Sequence, residues 1–394
     1  MIVKINIPLA VAFTSVLLML GCKTGANRQD EGPTYLATFS LDDSTAVDVL
    51  VSIRQDDLVF MNGEERVLMR SVSGGGYSVP VFGGSLVGEW FGDEGVWRGD
   101  WVDSLRRDEY RVPLEIAPFK KKREQDGKVE RSIWDTDLGR LKMVQKGDSI
   151  TATFLTSTGD YRYQAGEINP ETSRFKIGNF DGAHLFSFEG TLKKDAITDG
   201  VFKSGTHYAT TWKGVRALNS RVDWSAAQSW NPQSDVFIEG VNSWGETEVW
   251  TRKRLEESGY KILVVDVIGT WCPNCMDESR LLRELCEDYP EMVVVSVAFE
   301  RSVGDVALRR IADFKEELQL PWDVLLGGVA NKKIADSTLS FMGGVKSFPT
   351  TAFIPIEGDL VVHSGFSGPA TGESYEEEVM FFRKTIASLI RESR

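Results

Sequence analysis

The residues best equipped for chemistry are two cysteines in the run Trp271-Cys272-Pro273-Asn274-Cys275. An apolar stretch, Ile262 to Ile268, leads into a short Gly-Thr-Trp turn, and an amphipathic run follows. This pattern predicts a buried strand, a turn and a helix that opens at Cys272. Pro273 then takes the first helical position, where its missing N–H costs nothing. Exposed amides and the positive end of the helix dipole favour a thiolate at Cys272. Cys275 lies one turn on, along the same face, so the two sulfurs can close and reopen a disulfide with little backbone movement.

A Cys-x-x-Cys pair also suits a structural zinc site, but that needs four ligands. The nearest further cysteine is Cys286, and the three histidines, His184, His207 and His363, are not spaced as a ligand pair. The strand-turn-helix setting points instead to thiol–disulfide exchange, with no metal and no cofactor.

Two carboxylates accompany the pair. Asp266 interrupts the apolar strand, so it is expected to be buried near Cys272. Glu278 shares a helical face with Cys275, Leu282 and Leu285, where desolvation would raise its pKa. Either acid can take a proton from the resolving thiol and return it. A solvated Glu278 that merely complements the helix dipole is the plainer alternative.

The elements around the motif read as α/β. The expected order is helix Pro273 to Asp288, strand Met292 to Phe299, helix Gly304 to Leu318 and strand Asp323 to Leu326. A helical stretch, Ala330 to Met342, follows, then strands Thr351 to Ile356 and Leu360 to Ser364, then helix Ser374 to Glu392. The helices carry apolar residues at core spacing, such as Ala307, Ile311, Phe314 and Leu318, so helices should cover both faces of a central sheet.

Residues 34–220 differ in texture. Short apolar runs alternate with Gly, Asp and Ser turns, and Asn62-Gly63 between two runs is a hairpin signal. An antiparallel β-domain is expected, a barrel or a sandwich, with the charged segment Pro118 to Arg131 dividing two groups of strands. Its tryptophans, Trp90, Trp97, Trp101, Trp134 and Trp212, read as core before they read as a ligand platform. Residues 221–243 are expected to link this domain to the α/β domain, 244–394.

Residues 1–22 read as an export signal, charged at Lys4 and apolar from Ile5 to Leu20. The ending Leu18-Met19-Leu20-Gly21-Cys22 resembles the bacterial lipobox, which implies lipidation of Cys22, a membrane anchor and removal of residues 1–21. Residues 23–33 form a polar tether. With 45 basic and 58 acidic residues and a net charge of -13, the chain is unsuited to general nucleic-acid binding.

Trp271-Cys272-Pro273-Asn274-Cys275 together with Phe348-Pro349-Thr350 resembles the thioredoxin superfamily over residues 244–394. The helical stretch before Pro349 is similar to that of the TlpA/ResA-type membrane-anchored thiol-disulfide oxidoreductases. The resemblance implies that Cys272 attacks, Cys275 resolves and Pro349 is a cis-proline facing the disulfide. Trp271 and Phe348 would flank bound substrate. Asp266 matches the buried acid of thioredoxins and Glu278 the acid of the ResA-like branch; having both leaves open which serves Cys275. The implied partners are disulfide-bearing envelope proteins and a membrane dithiol donor, on the periplasmic side of a Gram-negative envelope. Pro273-Asn274 departs from both family patterns, which leaves the potential open, and the expected direction is reduction of protein disulfides. The alternative is an envelope binding lipoprotein or metallochaperone, although copper carriers on this fold space their cysteines one residue wider. A peroxidase of this fold would want Thr or Ser where this chain has Gly269.

Overall fold

A computed structural model of the chain describes residues 34–79, 81–103, 106, 110–120, 127–217, 228–232 and 235–393. The export signal, Cys22 and the tether expected over 1–33 lie outside the described residues. Among those described, no helix is long and apolar enough to cross a membrane.

Eight antiparallel strands run from Thr34–Ser40 to Arg111–Pro118, each pairing with the next. The first also pairs with the last, from Tyr35 opposite Pro118 to Phe39 opposite Leu114, so the sheet closes into a barrel. Closure removes exposed edges. The hairpin expected at Asn62-Gly63 joins Asp57–Asn62 to Glu65–Ser71, and Gly63 supplies the left-handed turn residue at φ 58. Trp97, Trp101, Phe39 and Phe60 are buried inside.

From Val129–Thr136 to Tyr208–Arg216 the chain forms a second antiparallel sheet, and pairing of this first strand with the last, from Thr136 opposite Gly214 to Trp134 opposite Arg216, closes it. Phe154 stacks on Phe188 in its core at 4.4 Å between ring centroids. The single β-domain expected from sequence is therefore two barrels, separated within the charged segment 118–131. Local turn signals locate hairpins, but closure depends on pairing between distant strands, which they do not encode. Phe180 of the second barrel packs against Phe39 and Trp101 of the first, at 4.7 and 5.0 Å.

The remaining chain builds a mixed eight-stranded sheet. Its strands are β1 (Gln228–Trp230), β2 (Phe237–Val241), β3 (Thr247–Thr251), β4 (Ile262–Ile268), β5 (Met292–Glu300), β6 (Val324–Val329), β7 (Thr350–Pro355) and β8 (Leu360–Ser364). The order across the sheet is β1-β8-β7-β4-β5-β6-β2-β3. β4, β5 and β6 are parallel, while β7 and β8 run antiparallel to their neighbours. The helices are α1 (Arg252–Ser258), α2 (Pro273–Asp288), α3 (Gly304–Leu318), α4 (Lys332–Thr338) and α5 (Glu373–Glu392). The stretch expected to link the domains, 221–243, is thus partly sheet: β1 and β2 pair with β8 and β6 on opposite sides of the centre.

β4 is buried at every position. Ile262, Val264 and Ile268 join a core with Leu282 of α2, Phe314 of α3 and Ile386 of α5, whereas Leu263, Val265 and Val267 face a second core with Ala335 of α4. This alternation places Asp266 on the α2 side. The first of these cores also takes in Phe39, Phe60 and Trp101 of the first barrel and Phe180 of the second, so among the described residues barrels and mixed sheet form one compact unit.

Candidate functional site: a dithiol at a helix N-terminus

Cys272 is the N-cap of α2, with extended backbone at φ -108 and ψ 111. Its Sγ accepts the backbone N–H of Cys275 at 3.3 Å, satisfying one of the orphan amides of the first turn. Pro273 follows as the first helical residue. The turn that delivers Cys272 is tight: a Cβ on Gly269 would run into the Trp271 indole, and the Cys272 N–H donates to the Gly269 carbonyl at 2.9 Å. Both cysteines are free thiols; Cys275 is fully buried, and Cys272 keeps 7% of its surface exposed.

Across from Cys272 is the segment before β7. The Phe348–Pro349 peptide is cis, and the Cys272 thiol donates to the Phe348 carbonyl at 3.6 Å. Trp271 meets the Phe348 ring edge-on at 5.5 Å and donates its indole N–H to the Phe299 carbonyl at 3.0 Å. The Arg301 guanidinium lies 4.3 Å over the Trp271 ring, a cation–π contact. Thus Trp271, Cys272, Cys275, Phe348 and Pro349, singled out from sequence, converge.

The two acids lie beneath. Asp266 and Glu278 are both fully buried, which excludes the solvated alternative for Glu278. Asp266 Oδ2 accepts the hydroxyls of Ser279 and Ser296 at 3.0 and 3.1 Å. Glu278 Oε1 accepts the Thr351 hydroxyl. Burial pushes the Asp266 carboxyl up to about 7, against the pull of the two serine hydroxyls. Burial, then the charge of Asp266, holds Glu278 well above the carboxylate range. Burial and the hydrogen bond with Cys272 raise the Cys275 thiol well above its ordinary value. Asp266 adds to the electrostatic load on Cys275, and Glu278 lies in the field of Cys272.

Several participants went unnoticed in the sequence. Thr270 donates its N–H and hydroxyl to the buried Glu300 carboxylate at 2.8 and 2.9 Å, and Arg310 of α3 lies 3.5 Å from that carboxylate. Arg310 also reaches the Val81 carbonyl of the first barrel at 2.9 Å. A charged residue beside the apolar stripe of α3 was the available signal. Asp160 and Arg162 of the second barrel contact the Cys-x-x-Cys segment itself, and no local pattern announced them.

Each histidine has a charged neighbour, and His363 lies opposite Thr351, the donor to Glu278. His363 pairs with Glu378 at 2.7 Å, His184 with Asp181 at 3.3 Å, and His207 contacts Arg106. Among the described residues, no cluster of three or more His, Cys, Asp or Glu is arranged to hold a metal.

No protein-family model matches the chain, and no curated protein matches it. Solved structures resemble part of it. A hypothetical protein from Sinorhizobium meliloti 1021 is 16% identical, with a TM-score of 0.33 over 42% of this chain and 87% of its own. A thiol:disulfide interchange protein of the thioredoxin family from Chlorobium tepidum TLS is 16% identical, with a TM-score of 0.27 over 39% of this chain and 99% of its own. The thioredoxin domain of a thiol-disulfide oxidoreductase from Bacteroides vulgatus is 19% identical, with a TM-score of 0.27 over 38% of this chain and 99% of its own.

Proposed function

We propose that this protein is a thiol-disulfide oxidoreductase that reduces protein disulfides in the bacterial cell envelope, anchored by a lipid on Cys22. The observation that carries the reading is the placement of Cys272. It caps α2, has Cys275 directly behind it, and faces the carbonyl of the cis Phe348–Pro349 bond. A nucleophilic sulfur, a resolving sulfur and a backbone acceptor for an extended substrate are what disulfide exchange requires.

The Cys272 thiolate attacks one sulfur of the substrate disulfide. A Cys272–substrate bond forms, the substrate S–S bond breaks, and the released sulfur takes a proton. Cys275 then loses its proton and attacks Cys272 Sγ, which closes the 272–275 disulfide and frees the second substrate thiol. The substrate gains two electrons and the pair loses two, which a dithiol donor at the membrane restores. Burial makes Cys275 a poor acid on its own, so a base must act at the second step. Asp266 fits that role: its carboxyl is tuned near neutral pH and lies in electrostatic contact with Cys275. Glu278, also raised by burial and then by the Asp266 charge, lies in the field of Cys272, whereas Asp266 is the acid whose charge acts on Cys275. Trp271 and Phe348 line the approach to Cys272.

The test is a Cys275→Ala variant expressed with its export signal. Envelope proteins should accumulate as mixed disulfides with Cys272, separable on a non-reducing gel and lost in Cys272→Ala. If none form and the native pair fails to reduce insulin, the reading is wrong.

A further inference from the structure

The two residues between the cysteines are held from outside the mixed sheet. The Arg162 guanidinium, from the second barrel, donates to the Pro273 carbonyl at 3.1 Å and to the carboxylate of Asp277, one turn into α2. Its other edge donates to Glu65 of the first barrel, through Nε at 2.9 Å and through Nη2. Arg162 is buried and adopts φ 59, a left-handed conformation unusual for a residue with a side chain. The turn is fixed by Asp160, which accepts the Arg162 N–H at 2.6 Å and the Gly368 N–H at 2.6 Å. The Asn274 amide donates to the carbonyls of Asp160 and Phe366 at 3.3 and 3.4 Å. Contact is close throughout. A Cβ on Gly159 would collide with the Asn274 amide, and one on Gly365 would lie 2.9 Å from the Thr158 backbone.

We propose that Arg162 is a positioning residue of the redox centre, so that the second barrel sets the potential of the Cys272–Cys275 pair through its hold on Pro273 and Asn274. The inference rests on the reading of that pair as redox-active. Closing a disulfide demands a narrow sulfur–sulfur geometry, and the peptide units of Pro273 and Asn274 span the two cysteines. Any hydrogen bond that fixes those units fits the dithiol turn and the disulfide turn unequally. By linkage, that inequality moves the redox equilibrium by the same factor. The hold is complete with both cysteines as free thiols, so it favours the dithiol form. The guanidinium also offsets Asp277, whose negative charge would otherwise oppose a thiolate at the start of α2. Loosening the hold therefore makes the pair more reducing. Planar, two-edged recognition of Glu65 on one side and Asp277 with Pro273 on the other is a task for Arg that Lys cannot reproduce.

The experiment equilibrates the full chain with glutathione buffers and reads the oxidised fraction by mass shift after alkylation. It compares wild type with Arg162→Lys, Arg162→Met and Asn274→Ala, each checked for folding by circular dichroism. Arg162→Lys and Asn274→Ala are expected to shift the equilibrium constant at least threefold toward the disulfide. Arg162→Met should shift it about tenfold, or about 30 mV for a two-electron couple. If Arg162→Met does not fold, the other two variants decide. Equilibrium constants within twofold of wild type, or shifts toward the dithiol, overturn the inference. A wild-type pair that does not titrate reversibly would instead overturn the redox reading on which it rests.

Discussion

Cys272 and Phe348 face each other across the candidate site, with the thiol 3.6 Å from the carbonyl oxygen of the residue before the cis-proline. They come from segments 76 residues apart. β4 delivers the first and β7 the second, and these are adjacent antiparallel strands with Val267 opposite Thr350. The pairing of two central strands therefore fixes the distance between the Cys272 thiol and the Phe348 carbonyl.

The Phe348 ring can be removed while that carbonyl stays. In Phe348→Ala, the edge contact with Trp271 at 5.5 Å and the tilted contact with Phe299 at 6.0 Å are lost. Aromatic pairs of this kind contribute about 0.5–1.5 kcal/mol beyond area burial. The apparent kcat/KM for insulin reduction should fall about three- to tenfold, mainly through KM. Alkylation of Cys272 by iodoacetamide, which needs no docking surface, should keep its rate. A matching drop in the alkylation rate would show that Phe348 supports the thiol and not the substrate.

The Asp266 carboxyl provides a second prediction, whose sign follows from its environment. Burial raises it from 3.8 to about 7 in the folded chain. Its protonated form therefore favours folding fully below about pH 4, and that contribution is lost as pH rises through about 7. Asp266→Asn cannot ionise yet still accepts from Ser279 and Ser296. The Tm of the reduced wild type should drop between pH 5 and pH 8, and the drop should be smaller in Asp266→Asn. The same variant should slow closure of the Cys272–Cys275 disulfide about tenfold or more at pH 7, with little effect on attack by Cys272. Glu278→Gln should affect closure less. Equal slowing in both variants would remove the distinction drawn between the two acids.

Much of the candidate site could be read from the sequence because its signals are local. An apolar strand, a proline after Cys272, and apolar residues at helical spacing through Leu282 and Leu285 all lie within one unit of secondary structure. Asp266 was visible as a charge inside an apolar run. What escaped is long-range. Arg162 reaches Pro273 across 111 residues, and the closing pairs of the two barrels join strands that no turn connects. Neither composition nor periodicity encodes such pairings; they arise when packed surfaces fit. Hence one β-domain was expected where two barrels formed, and the hold on the Cys-x-x-Cys turn was missed.

A third prediction concerns the joint beneath Thr270. Glu300 is fully buried, accepts twice from Thr270 and lies 3.5 Å from Arg310, itself 8% exposed. Removing one partner of a buried pair leaves the other charge uncompensated, at about 3–5 kcal/mol. Glu300→Ala should lose about that much stability in urea. It should also loosen the Gly269–Trp271 turn, because the Thr270 amide loses its acceptor. Glu300→Gln, which can still accept from Thr270, should lose less. A change below about 1 kcal/mol in Glu300→Ala would mean that the joint does not stabilise the fold.

Cys286 lets thiol chemistry at the helix start be separated from thiol chemistry elsewhere on α2. It is half-buried, and burial, with the Glu287 charge, pushes its thiol up to about 11 from 9.0. The thiolate is the reacting form, so a rise of two units lowers the reactive fraction at pH 8 about a hundredfold. In the reduced protein, iodoacetamide at pH 8 should modify Cys272 first and leave Cys286 nearly untouched, as peptide mass spectrometry would show. Raising the pH to 10 should recover much of the Cys286 signal. If exchange runs through Cys272 and Cys275 alone, as proposed, Cys286→Ala should reduce insulin within about twofold of wild type. Modification of Cys286 at pH 8 at the rate of a free cysteine would show that its surroundings do not suppress ionisation. A large loss of activity in Cys286→Ala would show that a third sulfur takes part in the exchange.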